Sequence, residues 1–304
     1  VRYNKGGRGG TPFQVTSKRE VILASGVINS PQLLQLSGIG DPDHLGALGI
    51  ETHHALPGVG RNMRDHDTPR YTARVKNSDT FNERAHGLRL IAEAIKWAVK
   101  KPSILGIPST VCYLFTKSEP SVEINDLQIT FMPASYKEGV QSTLDALPGM
   151  TIAAWQQRPD SLGTVNIRSS DPFDKPAIDA NYLGEESDQR VLLAGLKLAR
   201  RLLRTEPMAP YFAGEIYPGE AVVTDDELLD TARERGTTCF HMMGTCRMGP
   251  DVDPTAVVDQ KLRVYGLEGL RVIDASIMPT MPSANTNAAS LMIGEKGAAM
   301  IRAT

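Results

Sequence analysis

A short apolar strand that leads directly into a turn and a helix lies near the start of the chain. The residues Glu20-Val21-Ile22-Leu23-Ala24 are rich in β-branched side chains, which predicts a buried strand. Ser25-Gly26 ends it, and Asn29-Ser30-Pro31 then supplies a polar cap and a proline, which predict the start of a helix that continues to Ser37-Gly38. A strand, turn and helix in this order is typical of α/β folds, so this segment restricts the fold class more than any other.

A second strand that ends in polar and small residues lies near the other end of the chain. Leu270-Arg271-Val272-Ile273 leads into Asp274-Ala275-Ser276. A carboxylate at the end of such a strand can accept hydrogen bonds from ribose-type hydroxyls, and small neighbours allow a ligand to approach the backbone. Residues 282–287 then lead into a predicted helix over 288–301, whose N-terminus presents free N–H groups to an anion. For Asn285 and Asn287, simple helix capping is the alternative interpretation.

The middle of the chain has a different pattern. Residues 56–66 are rich in turn formers and mark a crossing between domains. Short alternating or apolar runs predict an antiparallel sheet; they lie at 71–75, 110–115, 127–131, 151–155 and 164–167. Helical spacing of apolar residues predicts helices over 88–99 and 187–203, and Thr224 with Glu227 forms a capping box before another helix. We therefore predict an α/β domain of residues 1–67 and 235–304, interrupted by an α+β domain of residues 68–234.

Charge and composition exclude several classes of function. The chain has 33 Lys plus Arg and 35 Asp plus Glu, so no basic excess is available for nucleic acid. No apolar run is as long as a membrane span requires, so we predict none. The three cysteines are sparse and odd in number, which favours a reducing compartment and predicts a cytoplasmic location.

His241 is the histidine whose surroundings best suit catalysis. It lies in the apolar segment Cys239-Phe240-His241-Met242-Met243-Gly244-Thr245-Cys246. Burial favours the neutral imidazole, which is the form that a general base requires. A zinc site here would have only three ligands, Cys239, His241 and Cys246, at a spacing that zinc sites do not use. We therefore predict ordinary buried thiols and no metal.

Five segments, in the same order along the chain, resemble the motifs of the glucose-methanol-choline (GMC) oxidoreductases. They are residues 26–40, residues 58–62 with Asp65-His66, residues 169–182, His241 with Gly244-Thr245-Cys246, and residues 270–279. Within the family, the chain is most similar to the choline-dehydrogenase-like and alcohol-oxidase-like members. The resemblance implies part of a Rossmann-like FAD-binding domain interleaved with an antiparallel-sheet substrate domain.

The resemblance also implies a reaction and its residues. The reaction is the FAD-dependent oxidation of a small primary alcohol to an aldehyde, with hydride passing to flavin N5. His241 would be the base that takes the hydroxyl proton, and Asn285 would hydrogen-bond the same oxygen. The residues that would contact the cofactor are Ala24, Gly26, Asp274, Ala275, Thr286 and Asn287.

One family motif does not occur in the sequence. It is the Gly-x-Gly-x-x-Gly turn that places the FAD pyrophosphate on a helix N-terminus. We therefore expect the chain to be the C-terminal portion of such an enzyme, which needs an N-terminal FAD-binding portion from the same gene or from a partner chain. The alternatives are a non-catalytic remnant or subunit that lacks bound FAD, and a hydroxynitrile lyase on the same fold.

Two further positions depart from the pattern of the family. Ser25 and Val27 replace the small alanines that usually flank Gly26. Choline-acting relatives often place a glutamate before a run of small residues and a phenylalanine, whereas this chain reads Val111-Cys112-Tyr113-Leu114-Phe115. No carboxylate is offered to a quaternary ammonium there, so we do not expect choline as the substrate.

Overall fold

The computed structural model describes residues 1–137 and 143–303. The strands are β1 (Arg2–Lys5), β2 (Thr11–Gln14), β3 (Val21–Leu23), β4 (Ile39–Gly40), β5 (His54–Ala55), β6 (Arg70–Val75), β7 (Cys112–Thr116), β8 (Leu127–Met132), β9 (Gly149–Gln156), β10 (Thr164–Asn166), β11 (Ala177–Asp179), β12 (Phe212–Tyr217) and β13 (Leu270–Val272). The helices are α1 (Gly26–Leu36), α2 (Pro42–Ala47), α3 (Phe81–Arg84), α4 (Gly87–Ala98), α5 (Glu186–Leu203), α6 (Asp225–Arg235) and α7 (Asn287–Arg302), with 3₁₀ helices at Ile104–Gly106 and Ala275–Ile277. Within these described residues, every helix is too short or too polar to cross a membrane.

The chain divides into two compact units. The first consists of Val1–Asp65, Asp160–Tyr182 and Phe240–Thr304, and the second of His66–Pro159 and Leu183–Cys239. The first unit is built on a parallel pair, in which β13 lies beside β3 with Leu270 opposite Val21. Because the strands are parallel, their carboxyl ends lie at the same edge, where both are followed by residues predicted to bind a ligand.

Residues 160–182 belong to the first unit, although the sequence analysis assigned them to the middle of the chain. The β10 strand pairs with β11 rather than with the larger sheet. Its Val165 N–H donates to the Gly60 carbonyl (2.7 Å), and the buried Gln35 side chain bonds both to the Val165 carbonyl (3.2 Å) and to the Ile167 N–H (2.8 Å). These bonds link the segment to α1 and to the turn at Gly60, which no local periodicity could predict.

Helix α1 begins five residues earlier than the sequence predicts. Ser25 is its N-cap, and Pro31 lies inside the helix. A proline there leaves the carbonyl four residues before it, that of Val27, without a helical donor. The Thr245 hydroxyl donates to this carbonyl at 2.6 Å, so a tertiary contact replaces the bond that the proline removes.

The second unit contains the predicted antiparallel sheet. Its five strands lie in the order β12-β6-β9-β8-β7. Helix α5 packs closely on the sheet at Gly195, since a side-chain carbon there would lie 2.8 Å from Leu127 Cδ2. The capping box predicted at Thr224 and Glu227 is also confirmed, at the start of α6.

Candidate active site

The strand-end turns of the first unit meet at the Asp274 carboxylate. Its Oδ2 accepts from the Gly26 N–H (3.0 Å) and from the Ser30 hydroxyl (2.6 Å), and its Oδ1 accepts from the Ser276 N–H (2.8 Å). The carboxylate thus fixes the turn between β3 and α1 against the residues that follow β13. The Asp274 carboxylate thus accepts three hydrogen bonds from the chain itself. No bond in the structure tests its predicted contact with FAD, which stays a prediction.

This turn is open toward solvent at Gly26. The residue has φ +81°, and a side-chain carbon on its Cα would meet nothing within 4 Å apart from its chain neighbours and the backbone of α1. Ala24, directly before the turn, is exposed. Free space at a glycine, with the small Ala24 before the turn, allows a ligand to approach the backbone closely. The geometry therefore fits an extended cofactor along this edge.

His241 and Asn285 lie in direct contact. The Asn285 Nδ2 atom is 2.9 Å from His241 Nε2, although the two residues are 44 positions apart. An amide nitrogen can only donate, so this contact fits the tautomer of His241 in which Nε2 is the acceptor. A ring nitrogen in that state can accept the proton of a substrate hydroxyl.

The electrostatic environment favours the same neutral form. His241 is half-buried, and this burial lowers the pKa of the imidazole below its usual value. The negative charge of Asp65 acts in the opposite direction and raises the pKa, but the net shift is downward. The imidazole is therefore mostly neutral at physiological pH.

The start of α7 places Asn285 one residue before the N-cap. The N-cap residue is Thr286, and its side chain makes no capping hydrogen bond. Asn287 is the first helical residue and is exposed, as is Asn285. Asn285 thus precedes the N-cap, and its amide contacts His241. The Thr286 side chain does not cap the first-turn N–H groups of α7, and a helix N-terminus suits an anionic group near Thr286 and Asn287.

Asp65 holds the backbone of His241, a role that the sequence analysis did not assign. Its Oδ1 accepts from the His241 N–H (2.9 Å), and its Oδ2 accepts from the Tyr182 hydroxyl (2.5 Å). Phe240, directly before His241, has φ +58°, a left-handed conformation that is unfavourable for a bulky side chain. Both Asp65 and Tyr182 belong to the family-like segments, which was the only signal in the sequence.

Two cysteines, Cys239 and Cys246, flank His241 in the sequence. Cys246 is fully buried, and burial raises the pKa of its thiol, so the sulfur stays protonated. Over residues 1–137 and 143–303, no three His, Cys, Asp or Glu side chains are grouped as metal ligands.

Comparisons with known sequences give the family. The N-terminal profile of the GMC oxidoreductases matches residues 1–68, and the C-terminal profile matches residues 159–294. The oxygen-dependent choline dehydrogenases of Staphylococcus xylosus and of Staphylococcus saprophyticus are each 36% identical to the chain over 304 residues. In both cases the match covers 99% of this chain and 53% of the relative, so the chain spans about half the length of these relatives.

Solved structures give the same answer. A structure of Aspergillus oryzae formate oxidase, described as showing the effect of a mutation on FAD modification, superposes on this chain with a TM-score of 0.87 at 26% identity. The match covers all of this chain and 57% of the formate oxidase chain. Pyridoxine 4-oxidase from Mesorbium loti superposes with a TM-score of 0.80 at 27% identity, over 98% of this chain and 54% of its own. The chain belongs to the GMC oxidoreductase family.

Proposed function

We propose that the chain is the C-terminal portion of an FAD-dependent alcohol oxidoreductase, and that His241 is its catalytic base. The observation that carries this proposal is the 2.9 Å contact between Asn285 Nδ2 and His241 Nε2 in the first unit. It supports an unprotonated ring nitrogen beside an amide donor, which together can hold one hydroxyl oxygen.

His241 and Asn285 would divide the work on that oxygen. His241 Nε2 takes the hydroxyl proton, and the Asn285 amide donates a hydrogen bond to the oxygen as its negative charge develops. For this, the amide must turn from the imidazole to the substrate when the alcohol binds. Asp65 holds the His241 backbone, which keeps the imidazole in place during the transfer.

FAD, when bound, supplies the hydride acceptor for the alcohol carbon, which becomes the carbon of the aldehyde. The open backbone at Gly26, beside the small Ala24, supports a site for it in the first unit. Ala275 and the N-terminus of α7, with Thr286 and Asn287, would complete this wall. We infer that the first unit contributes to the FAD-binding domain and that the second is the substrate-binding domain.

The substrate proposed here is an uncharged primary alcohol. The similar sequences from Staphylococcus are named choline dehydrogenases. A quaternary ammonium is usually recognised by carboxylates or aromatic faces, and Val111 with β7 supplies no carboxylate where choline-acting relatives often have one. This difference supports a substrate without the cationic group.

Reconstitution tests the proposal. The chain would be purified alone and co-expressed with an N-terminal portion that carries the Gly-x-Gly-x-x-Gly turn, and each sample would be passed through gel filtration with FAD. We expect the assembled form to retain FAD and to be reduced by primary alcohols without oxygen, whereas the chain alone loses the flavin. An assembled form that retains FAD but is reduced by no alcohol would contradict the proposal and favour a lyase or a non-catalytic subunit.

A further inference from the structure

Asp65 is a buried carboxylate that connects two distant segments of the first unit. It is only 4% exposed, and a charged group at such a position must be hydrogen-bonded. Its Oδ1 accepts from the His241 N–H (2.9 Å), and its Oδ2 accepts from the Tyr182 hydroxyl (2.5 Å). The two oxygens of one carboxylate thus join the Tyr182 side chain to the backbone of the proposed catalytic base.

Backbone hydrogen bonds hold Asp65 between these two segments. The Met63 N–H donates to the Gly163 carbonyl (3.1 Å), and the Gly163 N–H donates to the Met63 carbonyl (2.7 Å). The next residue, Arg64, exchanges two bonds of the same kind with Met243, at 3.1 and 2.9 Å. The backbone directly before Asp65 is therefore paired on both sides, so the place of the carboxylate is fixed.

The backbone before Tyr182 is also held by hydrogen bonds. Asn181 has φ +49°, a left-handed conformation that asparagine tolerates better than most residues. Its N–H donates to the Asp179 carboxylate (3.0 Å), and its Nδ2 donates to the Leu162 carbonyl (3.1 Å). Tyr182 thus follows a turn of defined geometry, from which its hydroxyl reaches the Asp65 carboxylate.

The conformation directly before His241 explains why this backbone needs support. Phe240 has φ +58°, and a bulky residue keeps a left-handed conformation only where its surroundings impose it. The Phe240 side chain is 73% exposed, so packing of its ring contributes little to that constraint. The bond from the His241 N–H to Asp65 acts on the next peptide unit and therefore constrains this turn directly.

We propose that Tyr182 is a positioning residue for the reaction and that it acts on His241 through Asp65. The Tyr182 hydroxyl holds the Asp65 carboxylate in the orientation that bonds the His241 N–H, and the carboxylate holds the turn that presents the imidazole. Tyr182 itself takes no part in the proton transfer. This inference rests on the proposed function, because a fixed orientation matters for a base that must meet a hydroxyl at close range.

Hydrogen exchange of the His241 amide tests the contact without any reaction. The assembled enzyme with FAD would be labelled with ¹⁵N-histidine, and the His241 signal is the one that disappears in His241→Ala. Tyr182→Phe removes only the hydroxyl, and it should speed exchange of the His241 N–H by about tenfold or more, because Asp65 is then held less firmly. The His53 N–H, which donates to the Gly38 carbonyl at 2.8 Å in the same unit, should exchange at the parent rate.

Rapid-mixing kinetics of the assembled enzyme test the effect on the reaction. In Tyr182→Phe, the rate of flavin reduction at saturating primary alcohol should fall by about tenfold, because the imidazole is less well placed. The apparent dissociation constant of the alcohol should stay within about twofold, because the hydroxyl is held by the His241 and Asn285 side chains. A tyrosine with only a structural role would lower the melting temperature and leave the rate per bound flavin unchanged.

Two further variants show whether Tyr182 acts through Asp65. Tyr265→Phe is the matched control, since the Tyr265 hydroxyl donates to the Gly249 carbonyl (2.8 Å) in the same unit. It removes one tyrosine hydrogen bond and should leave both the His241 exchange and the rate at the parent values. Asp65→Ala removes the connecting carboxylate, so adding Tyr182→Phe to it should change the rate by less than about twofold. Circular dichroism and FAD retention of each variant verify the fold.

Three outcomes would overturn the proposal. They are parent-like exchange of the His241 amide in Tyr182→Phe, a parent-like rate of flavin reduction in that variant, and an equal loss of rate from Tyr182→Phe with and without the Asp65 carboxylate. A parent enzyme that no alcohol reduces would instead refute the proposed function. The exchange rates alone would then decide whether Tyr182 holds the His241 backbone.

Discussion

The proposed chemistry depends on a small number of side chains that are distant in sequence. Asn285 is 44 positions from His241, and Asp65 is 176 positions from it. The family resemblance named His241 and Asn285, whereas the bond from the His241 backbone to Asp65 is visible only in the structure. Local sequence carries residue types and spacing, but not which carboxylate lies beside which backbone N–H.

Substitution of Asn285 separates a catalytic role from a structural one. Asn285→Ser should leave the melting temperature unchanged, because Thr286 is the N-cap and serine is well tolerated near a helix start. Serine is too short to reach the oxygen beside His241, so flavin reduction should slow by roughly tenfold, the effect of one lost hydrogen bond. Asn285→His, which restores a ring donor, should retain more activity than the serine variant. Equal rates in the parent and in both variants would exclude a catalytic role for Asn285 and leave His241 as the proposed catalytic residue.

The pH dependence of the reaction tests the contact between Asp65 and His241. The rate of flavin reduction should rise with pH as His241 loses its proton, with a midpoint below the ordinary histidine value of about 6.5, because burial lowers this pKa. The Asp65 charge raises the same pKa, so Asp65→Asn should move the midpoint further down while its amide oxygen still accepts from the His241 N–H. Ser30→Ala, which disturbs the Asp274 cluster instead, serves as the control. A midpoint that stays in place or moves up in Asp65→Asn would refute this electrostatic role.

At the scale of elements, sequence periodicity predicted most strands and helices of both units. The antiparallel sheet, α5 and the capping box of α6 follow from local patterns of apolar and capping residues. The start of α1 was predicted wrongly, because Thr245 satisfies the Val27 carbonyl that Pro31 leaves free. This compensation comes from a residue more than 200 positions away, which local rules cannot include.

Two other elements show the same limit. The alternation of residues 164–167 predicts a strand correctly, but it cannot predict that Gln35 and Gly60 hold this strand in the first unit. The stripe of α4 predicts a helix correctly, but it does not predict that Glu93 on the other side is buried, where it accepts from the Ile104 N–H. Periodicity gives the type of an element, whereas polar tertiary contacts decide which unit it joins and which side is buried.

At the scale of the whole molecule, the chain consists of two units, and the candidate site residues belong to only one of them. His241, Asn285, Asp65 and the residues predicted to contact FAD all belong to the first unit. The second unit contributes the antiparallel sheet and helix α5, which packs on it. Because the chain spans about half the length of its relatives, we expect the complete FAD site to require the N-terminal portion.

The most direct test of this account is the rate of anaerobic flavin reduction by a primary alcohol in the assembled enzyme, measured by rapid mixing for the parent and for His241→Ala. We predict that His241→Ala retains FAD with an unchanged visible spectrum. Its flavin should be reduced at least about 100-fold more slowly than in the parent, which is the effect expected when a positioned base is lost. His53→Ala, which removes an exposed histidine of the same unit, should react at the parent rate. Reduction of His241→Ala at close to the parent rate would contradict the account, since the proton would then have another acceptor.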